Sequence, residues 1–262
     1  MMLLALTIAL PLYWLAITSL RPAEQILSAE QSLGVSDPTL RNYTELLGET
    51  GFLRSILNSL LVSVTVTVIG IAVGSLAGYV FAKRRFPGRD LLFGLVLVTL
   101  TVPALAQVIP NFLVMVELGM INTLWAVILP QAAAPLGIFW MRQYVSVAVP
   151  DALLDAGRVD GMGEGRLFWS VVLPLIRPGA AGLAIWLFLQ SWSEFVLPLA
   201  YLQSNRVATY SLFLDALAGD PNQVPTHLLI AASVLATLPI VVVFLAAQRQ
   251  FVSGIVSGAI RG

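Results

Sequence analysis

The chain has 262 residues, of which 58% are hydrophobic and 11% charged, with a formal net charge of zero and a mean hydropathy of +0.89. Soluble domains carry about 25% charged residues, so this composition excludes an ordinary water-facing surface and points to an integral membrane protein. Zero net charge offers nothing that favours nucleic acid, and the lack of cysteine leaves the redox compartment unread.

A spanning helix needs about 20 mostly apolar residues. Six stretches qualify: 1–20, 55–82, 91–116, 123–145, 180–202 and 228–248. Helices are expected because strands outside a closed barrel leave backbone groups unsatisfied in lipid. The period-two alternation of a barrel is absent. The first stretch starts at Met1 with no basic flank, and it lacks the positive n-region and small-residue cleavage site of a signal peptide. It therefore predicts a natural start upstream or a misassigned one. In the second stretch Gly70, Gly74 and Gly78 are four apart, on one helix face. Such a stripe lets another helix approach closely, and packing within the chain is favoured over a subunit interface. The third stretch holds Pro103 and Pro110, and the fourth Pro130 and Pro135. Each predicts a kink, whether purely structural or beside a cavity.

Basic residues set the orientation. Lys83, Arg84, Arg85 and Arg89 follow the second stretch; Arg142, in the last turn of the fourth, is counted with Arg158, Arg166 and Arg177 in the loop after it; Arg249 and Arg261 follow the sixth. The alternate connections hold only Arg21, Arg41, Arg54 and Arg206, among a majority of acids. Ten against four places the first set in the cytoplasm, and six spans then put both termini there.

The segment 146–178 interrupts this apolar chain with Asp151, Asp155, Asp160, Glu164, Arg158, Arg166 and Arg177. Pro150 suits a helix start and Asp151 complements the dipole of the first turn. Asp160-Gly161 signals a turn. "GRLFWSVVLPL" then reads as a second helical run, leading into Pro174 and Pro178 ahead of the fifth span. Ala156 and Gly157 flatten one side of the first helix. The balance of acids and arginines, with small residues beside a sharp turn, favours a protein partner over a lipid-bound connector.

Asp155-Ala156-Gly157, Asp160-Gly161, Phe168 and Leu173-Pro174 resemble the "EAA" loop of ATP-binding-cassette importer permeases. Asp155 stands for Glu, Gly157 and Met162 for Ala, and Val171 for Ile, with the spacing kept. The likeness covers nearly the whole chain. It is closest to the second permease of maltose-type carbohydrate importers, through Asn42-Tyr43 in "TLRNYTELL", Asn58-Ser59, Phe86-Pro87-Gly88 in "YVFAKRRFPGRD", "LGMINTLWAVILP" and "QRQFVSGIVSGAIRG".

The resemblance implies an all-α, polytopic permease of the type I importer fold: one transmembrane domain over 1–262, six spans, a cytoplasmic coupling loop at 146–178 and a cytoplasmic tail at 249–262. It implies a multi-pass protein of the bacterial plasma membrane. Its partners would be a second permease, two ATPase subunits and an extracytoplasmic sugar-binding protein. Asp155, Ala156, Gly157, Asp160 and Gly161 would dock on the ATPase, and Phe168, Leu173 and Pro174 would pass its motion to the next span. The chain would bind no cofactor, with ATP and Mg held by the ATPase. It has no G-x-x-x-x-G-K-[ST] phosphate loop of its own. Residues 254–262 resemble a tail that reaches between the ATPase subunits, and their glycines suit an extended thread.

In "LQSWSEFVLPL", Glu194 is an acid at membrane depth, where such groups line pathways or make structural hydrogen bonds. Trp192, Ser193, Glu194 and Phe195 are the candidate substrate pathway, with Trp192 and Phe195 offering aromatic faces to sugar rings. Three other readings stay open. A non-sugar solute is compatible with the EAA pattern alone. A secondary transporter would show inverted repeats and several midplane charges. A hydrolase lacks H-E-x-x-H, cysteine and a well-placed histidine.

Overall fold

The computed structural model describes residues 2–26, 34–35, 37–48, 51–219 and 225–259, with backbone alone at 2–6, 8–9 and 247–259. In chain order the helices are α1 (Met2–Ser19), α2 (Ala23–Ile26), α3 (Arg41–Gly48), α4 (Phe52–Lys83), α5 (Arg89–Thr99), a 3-10 turn (Ala104–Gln107), α6 (Val108–Glu117), α7 (Leu124–Ala132) and α8 (Pro135–Ala148). They continue as α9 (Asp151–Val159), α10 (Glu164–Leu167), a π-turn (Phe168–Val172), α11 (Leu173–Trp192), α12 (Val196–Tyr201), α13 (Tyr210–Ala218) and α14 (Thr226–Ala259). No strand occurs among the described residues, as expected of a lipid-embedded chain.

Four helical stretches are long and apolar enough to cross a membrane: Phe52–Lys83, Leu124–Ala148, Glu164–Trp192 and Thr226–Ala246. The pair Arg89–Thr99 and Ala104–Glu117 makes a fifth if counted as one span, and α1 contributes the shorter apolar helix Leu10–Ser19. Four expectations are corrected. The third stretch is broken rather than kinked, with a bend of 104° between its halves. Proline disfavours helical geometry in the residue before it and donates no hydrogen bond, so α5 ends ahead of Pro103.

The fifth span is also displaced. It runs over Glu164–Trp192, so Pro174 and Pro178 lie inside it instead of ahead of it. The π-turn accommodates this. Pro174 has no N–H, and in an α-helix its ring would press on the carbonyl of Ser170. The wider turn relieves that crowding, with the Leu173 N–H reaching back five residues to the Phe168 carbonyl. Arg142 and Arg177, read as loop residues, fall within α8 and α11. Near the other end of the chain α14 continues through Ala259, so 254–259 is helical and not an extended thread. Residues 260–262 lie outside the described residues.

The chain divides into two compact units. The first comprises 1–59 and 203–242. Its core packs Leu46 and Phe52 with Leu228, Ala231 and Ala232. The Asn42 amide donates to the carbonyls of Ser19 and Arg21 at 2.8 Å each, closing the end of α1. Asn58 donates to the carbonyls of Arg206 and Ala208, and the Ser59 hydroxyl accepts the Tyr210 N–H at 2.8 Å. Buried backbone groups need such partners, which gives Asn42 and the Asn58-Ser59 pair their structural role.

The second unit comprises 60–202 and 243–262. Its main core joins Tyr79 of α4, Met141 and Val145 of α8, Leu154 of α9, Phe168 and Val172 of the π-turn, and Ile176, Leu183 and Leu187 of α11. The glycine stripe of α4 serves this core. A Cβ at Gly70 would lie 2.7 Å from Leu187, at Gly74 3.0 Å from the Gly137 carbonyl, and at Gly78 2.7 Å from the Arg142 backbone nitrogen. All three contacts are within the chain, as the favoured reading of the stripe expected.

Candidate functional site

The polar segment after α8 forms helix, turn, helix. Asp151 lies in the first turn of α9, behind Pro150. The end of α9 is closed by two backbone bonds: the Gly161 N–H reaches the Arg158 carbonyl, and the Met162 N–H reaches the Gly157 carbonyl at 2.9 Å. This double closure is a Schellman motif, which needs a left-handed residue at its hinge. Gly161 supplies it with φ of 78°. The Asp-Gly signal thus marks a real structural requirement.

The faces of α9 are distinct. Leu154 and Gly157 are buried, while Asp155, Ala156, Val159, Asp160 and Gly161 are exposed. Gly157 does not contribute to an outer docking surface. A Cβ there would collide with the side chain of Leu167, so this glycine lets α9 close against the start of the next helix. Asp155 pairs with Arg158 of its own helix at 2.7 Å. Phe168 is buried, with its ring 5.7 Å from that of Tyr79. Leu173 packs at the edge of the same core, and Pro174 is exposed. The eight predicted coupling residues therefore split into an outward set (Asp155, Ala156, Asp160, Gly161 and Pro174) and an inward set (Gly157, Phe168 and Leu173).

A tether fixes this segment to the end of α4. Glu164 accepts from the Tyr79 hydroxyl at 2.9 Å, from Arg84 at 2.6 Å and from Arg158 at 3.4 Å. Asp151 accepts from Lys83 at 2.8 Å. The Lys83 ammonium, by its hydrogen bond and its charge, holds the Asp151 carboxyl below the ordinary aspartate range. Burial works to lower the Arg158 value, but Glu164 and Asp155 outweigh it and hold the guanidinium above its ordinary value. Sequence reading noted these acids and bases but not their pairing. The signal was available: two acids, Asp151 and Glu164, face the basic run at the end of α4.

Glu194 occupies a second site. It follows the end of α11, and its Oε1 accepts from the N–H groups of Val196 at 2.8 Å and Leu197 at 3.1 Å, capping α12. It also lines a cavity of about 270 Å³ together with Gln107, Asn111, Gln131, Trp186 and Gln190. The other predicted pathway residues do not line this cavity. Trp192 is buried, with its ring 5.7 Å from that of Phe188 in a stacked arrangement. Ser193 is exposed and Phe195 half-buried, both away from the lining. The aromatic face in the cavity is Trp186, one helical turn before Gln190. A four-residue spacing in "WLFLQ" was the readable signal. The amides of the 3-10 turn, α6 and α7 come together only through the break at Pro103, which periodicity does not reveal.

Residues 70–257 match the family described as binding-protein-dependent transport system inner membrane component. The chain is 36% identical over 256 residues to the arabinooligosaccharides transport system permease protein AraQ of Halalkalibacterium halodurans, covering 96% of this chain and 91% of that one. It is 36% identical over 261 residues to the osmoprotective compounds uptake permease protein GgtD of Synechocystis sp., covering 96% and 87%. A chain from the crystal structure of a bacterial ABC transporter involved in the import of the acidic polysaccharide alginate superposes with a TM-score of 0.85 at 19% identity, over 94% of this chain and 92% of that one. That likeness shows the fold.

Proposed function

The chain belongs to the family of binding-protein-dependent transport system inner membrane components, and from that premise we propose that it is the permease subunit of an ATP-driven carbohydrate importer. It forms half of the translocation pore with a second permease, and it docks through 151–174 on a separate ATPase. The arabinooligosaccharides for which the AraQ relative is named support the solute class. ATP and Mg are held by the ATPase, and this chain binds no cofactor. Six spans and cytoplasmic termini, with 151–178 and 249–262 on that same side, complete the reading.

One observation carries the coupling role. The helix–turn–helix segment is exposed along Asp155, Ala156 and Asp160 and anchored behind by Phe168 and Glu164. An anchored element with a free face transmits displacement, whereas an unanchored loop would absorb it. Two helices lead from the anchor to the cavity. Val66 and Tyr79 share α4, about 20 Å apart at 1.5 Å per residue, and Leu173 and Trp186 are separated by as much along α11. Closure of the ATPase dimer would push the loop, and these two helices would carry the push to the cavity, giving alternating access.

Co-purification tests the docking. The chain is tagged and expressed with its neighbouring transport genes, as wild type, Asp160→Arg and Gly161→Pro. The wild type should retain an ATPase and a second permease. Asp160→Arg reverses charge on the outer face, and Gly161→Pro cannot adopt positive φ, so both should lose the ATPase. If the variants keep it as well as the wild type, the loop has another role.

A further inference from the structure

The cavity around Glu194 has a one-sided chemistry. Its polar groups are the amides of Gln107, Asn111, Gln131 and Gln190 and the carboxylate of Glu194. Among the described residues no lysine or arginine lines it. Amides donate and accept, so they match hydroxyl groups in either role. Trp186 adds an apolar ring face. A carboxylate in such a setting accepts from hydroxyls but repels a second carboxylate or a phosphate, and the repulsion grows as water is displaced. An acidic solute needs cations for charge compensation, and none is present in the lining.

Resting on the importer reading above, we infer that Glu194 makes this cavity selective for uncharged, polyhydroxylated solutes and closes it to uronate- or phosphate-bearing ones. The backbone keeps Glu194 in place for this task. The N–H groups of Val196 and Leu197 both bond its Oε1, which fixes the position of the carboxylate at the end of α11. Glu194 is thus a specificity-determining group held by the helix it caps. Electrostatic discrimination of this kind acts by excluding the wrong solute more than by adding affinity for the right one.

The test uses the purified permease–ATPase complex without its binding protein, so that the permease alone is read. A neutral disaccharide and the uronate disaccharide of the same linkage are titrated against tryptophan fluorescence, with Trp186→Phe assigning the signal to the cavity. The neutral sugar should bind at least about tenfold more tightly than the uronate, and Glu194→Gln should shrink that ratio towards one. Glutamine keeps a carbonyl for the two backbone donors, so the cap survives the substitution. The inference is overturned if the uronate binds as well as the neutral sugar, if Glu194→Gln leaves the ratio unchanged, if Trp186→Phe retains the full signal, or if neither sugar binds. Parallel ATP-driven uptake by the complete transporter separates the two readings. Uptake of a neutral sugar with an unchanged binding ratio sinks only the selectivity, whereas failure to import any sugar sinks the importer reading.

Discussion

Gly78 has no room for a side chain. A Cβ there would lie 2.7 Å from the Arg142 backbone nitrogen and from the Met141 Cβ. Backbone cannot swing aside, so Gly78→Ala should separate α4 from α8 and cost about 1–3 kcal/mol. Gly94 has nothing within 4 Å of its would-be Cβ, and Gly94→Ala should stay within about 0.5 kcal/mol of wild type. Thermal unfolding of the two purified variants in the same detergent checks both. Asp151 gives a pH prediction. Its carboxyl titrates below the ordinary 3.8 because of Lys83, so the folded form favours the ionised acid. The resulting stability is present above 3.8 and is lost as pH falls through the lower folded value. The carboxylate is largely exposed, which keeps the effect small. Wild type and Asp151→Asn should therefore differ slightly in melting temperature near pH 7 and converge once the pH has fallen below the lower folded value. A difference that persisted there would show that the carboxylate charge is not its source.

At the scale of elements, the tether between the coupling segment and α4 is the part with mechanical meaning. Glu164→Gln removes the charge that Arg84 and Arg158 share but keeps acceptor capacity. Each pair is half-exposed, so the loss in stability should be modest, on the order of 1 kcal/mol or less. The larger effect should be on transmission. ATPase co-purification should be unchanged while ATP-driven uptake drops severalfold, because Glu164 holds Tyr79 and Arg84 of the tether and is not one of the outward residues of α9. Equal loss of docking and uptake would place Glu164 in the interface instead. Much of this level was legible in advance. The spans are long apolar runs, and the turn at Asp160-Gly161 follows from glycine alone. The rest was hidden for physical reasons. Pro103 announces a bend but not one of 104°. Pro174 and Pro178 suggested a boundary, because a π-turn that accommodates a proline leaves no mark in hydrophobic periodicity. Gly157 resembled a docking residue, but whether a small residue faces outward or inward depends on its partner, here Leu167, ten positions on.

For the whole molecule, the chain belongs to the transport family, and in the mechanism proposed for it force enters at 151–174 and acts on a cavity lined by the middle of α4 and the last turns of α11. The cavity was legible in Glu194 and, by four-residue spacing, in Trp186 and Gln190, whereas Gln107, Asn111 and Gln131 come from segments that no spacing rule connects. The central claim is that 151–174 touches the ATPase, and the cysteine-free sequence makes a direct measurement simple. A single cysteine is introduced by Ala156→Cys on the exposed face of α9, and by Glu117→Cys at the end of α6 as a control. Each is treated with a short thiol-to-amine crosslinker in membranes holding the complete transporter. An ATPase adduct from position 156 and none from 117 is the predicted result. An adduct from 117, or none from 156 while the complex remains intact, would contradict the account.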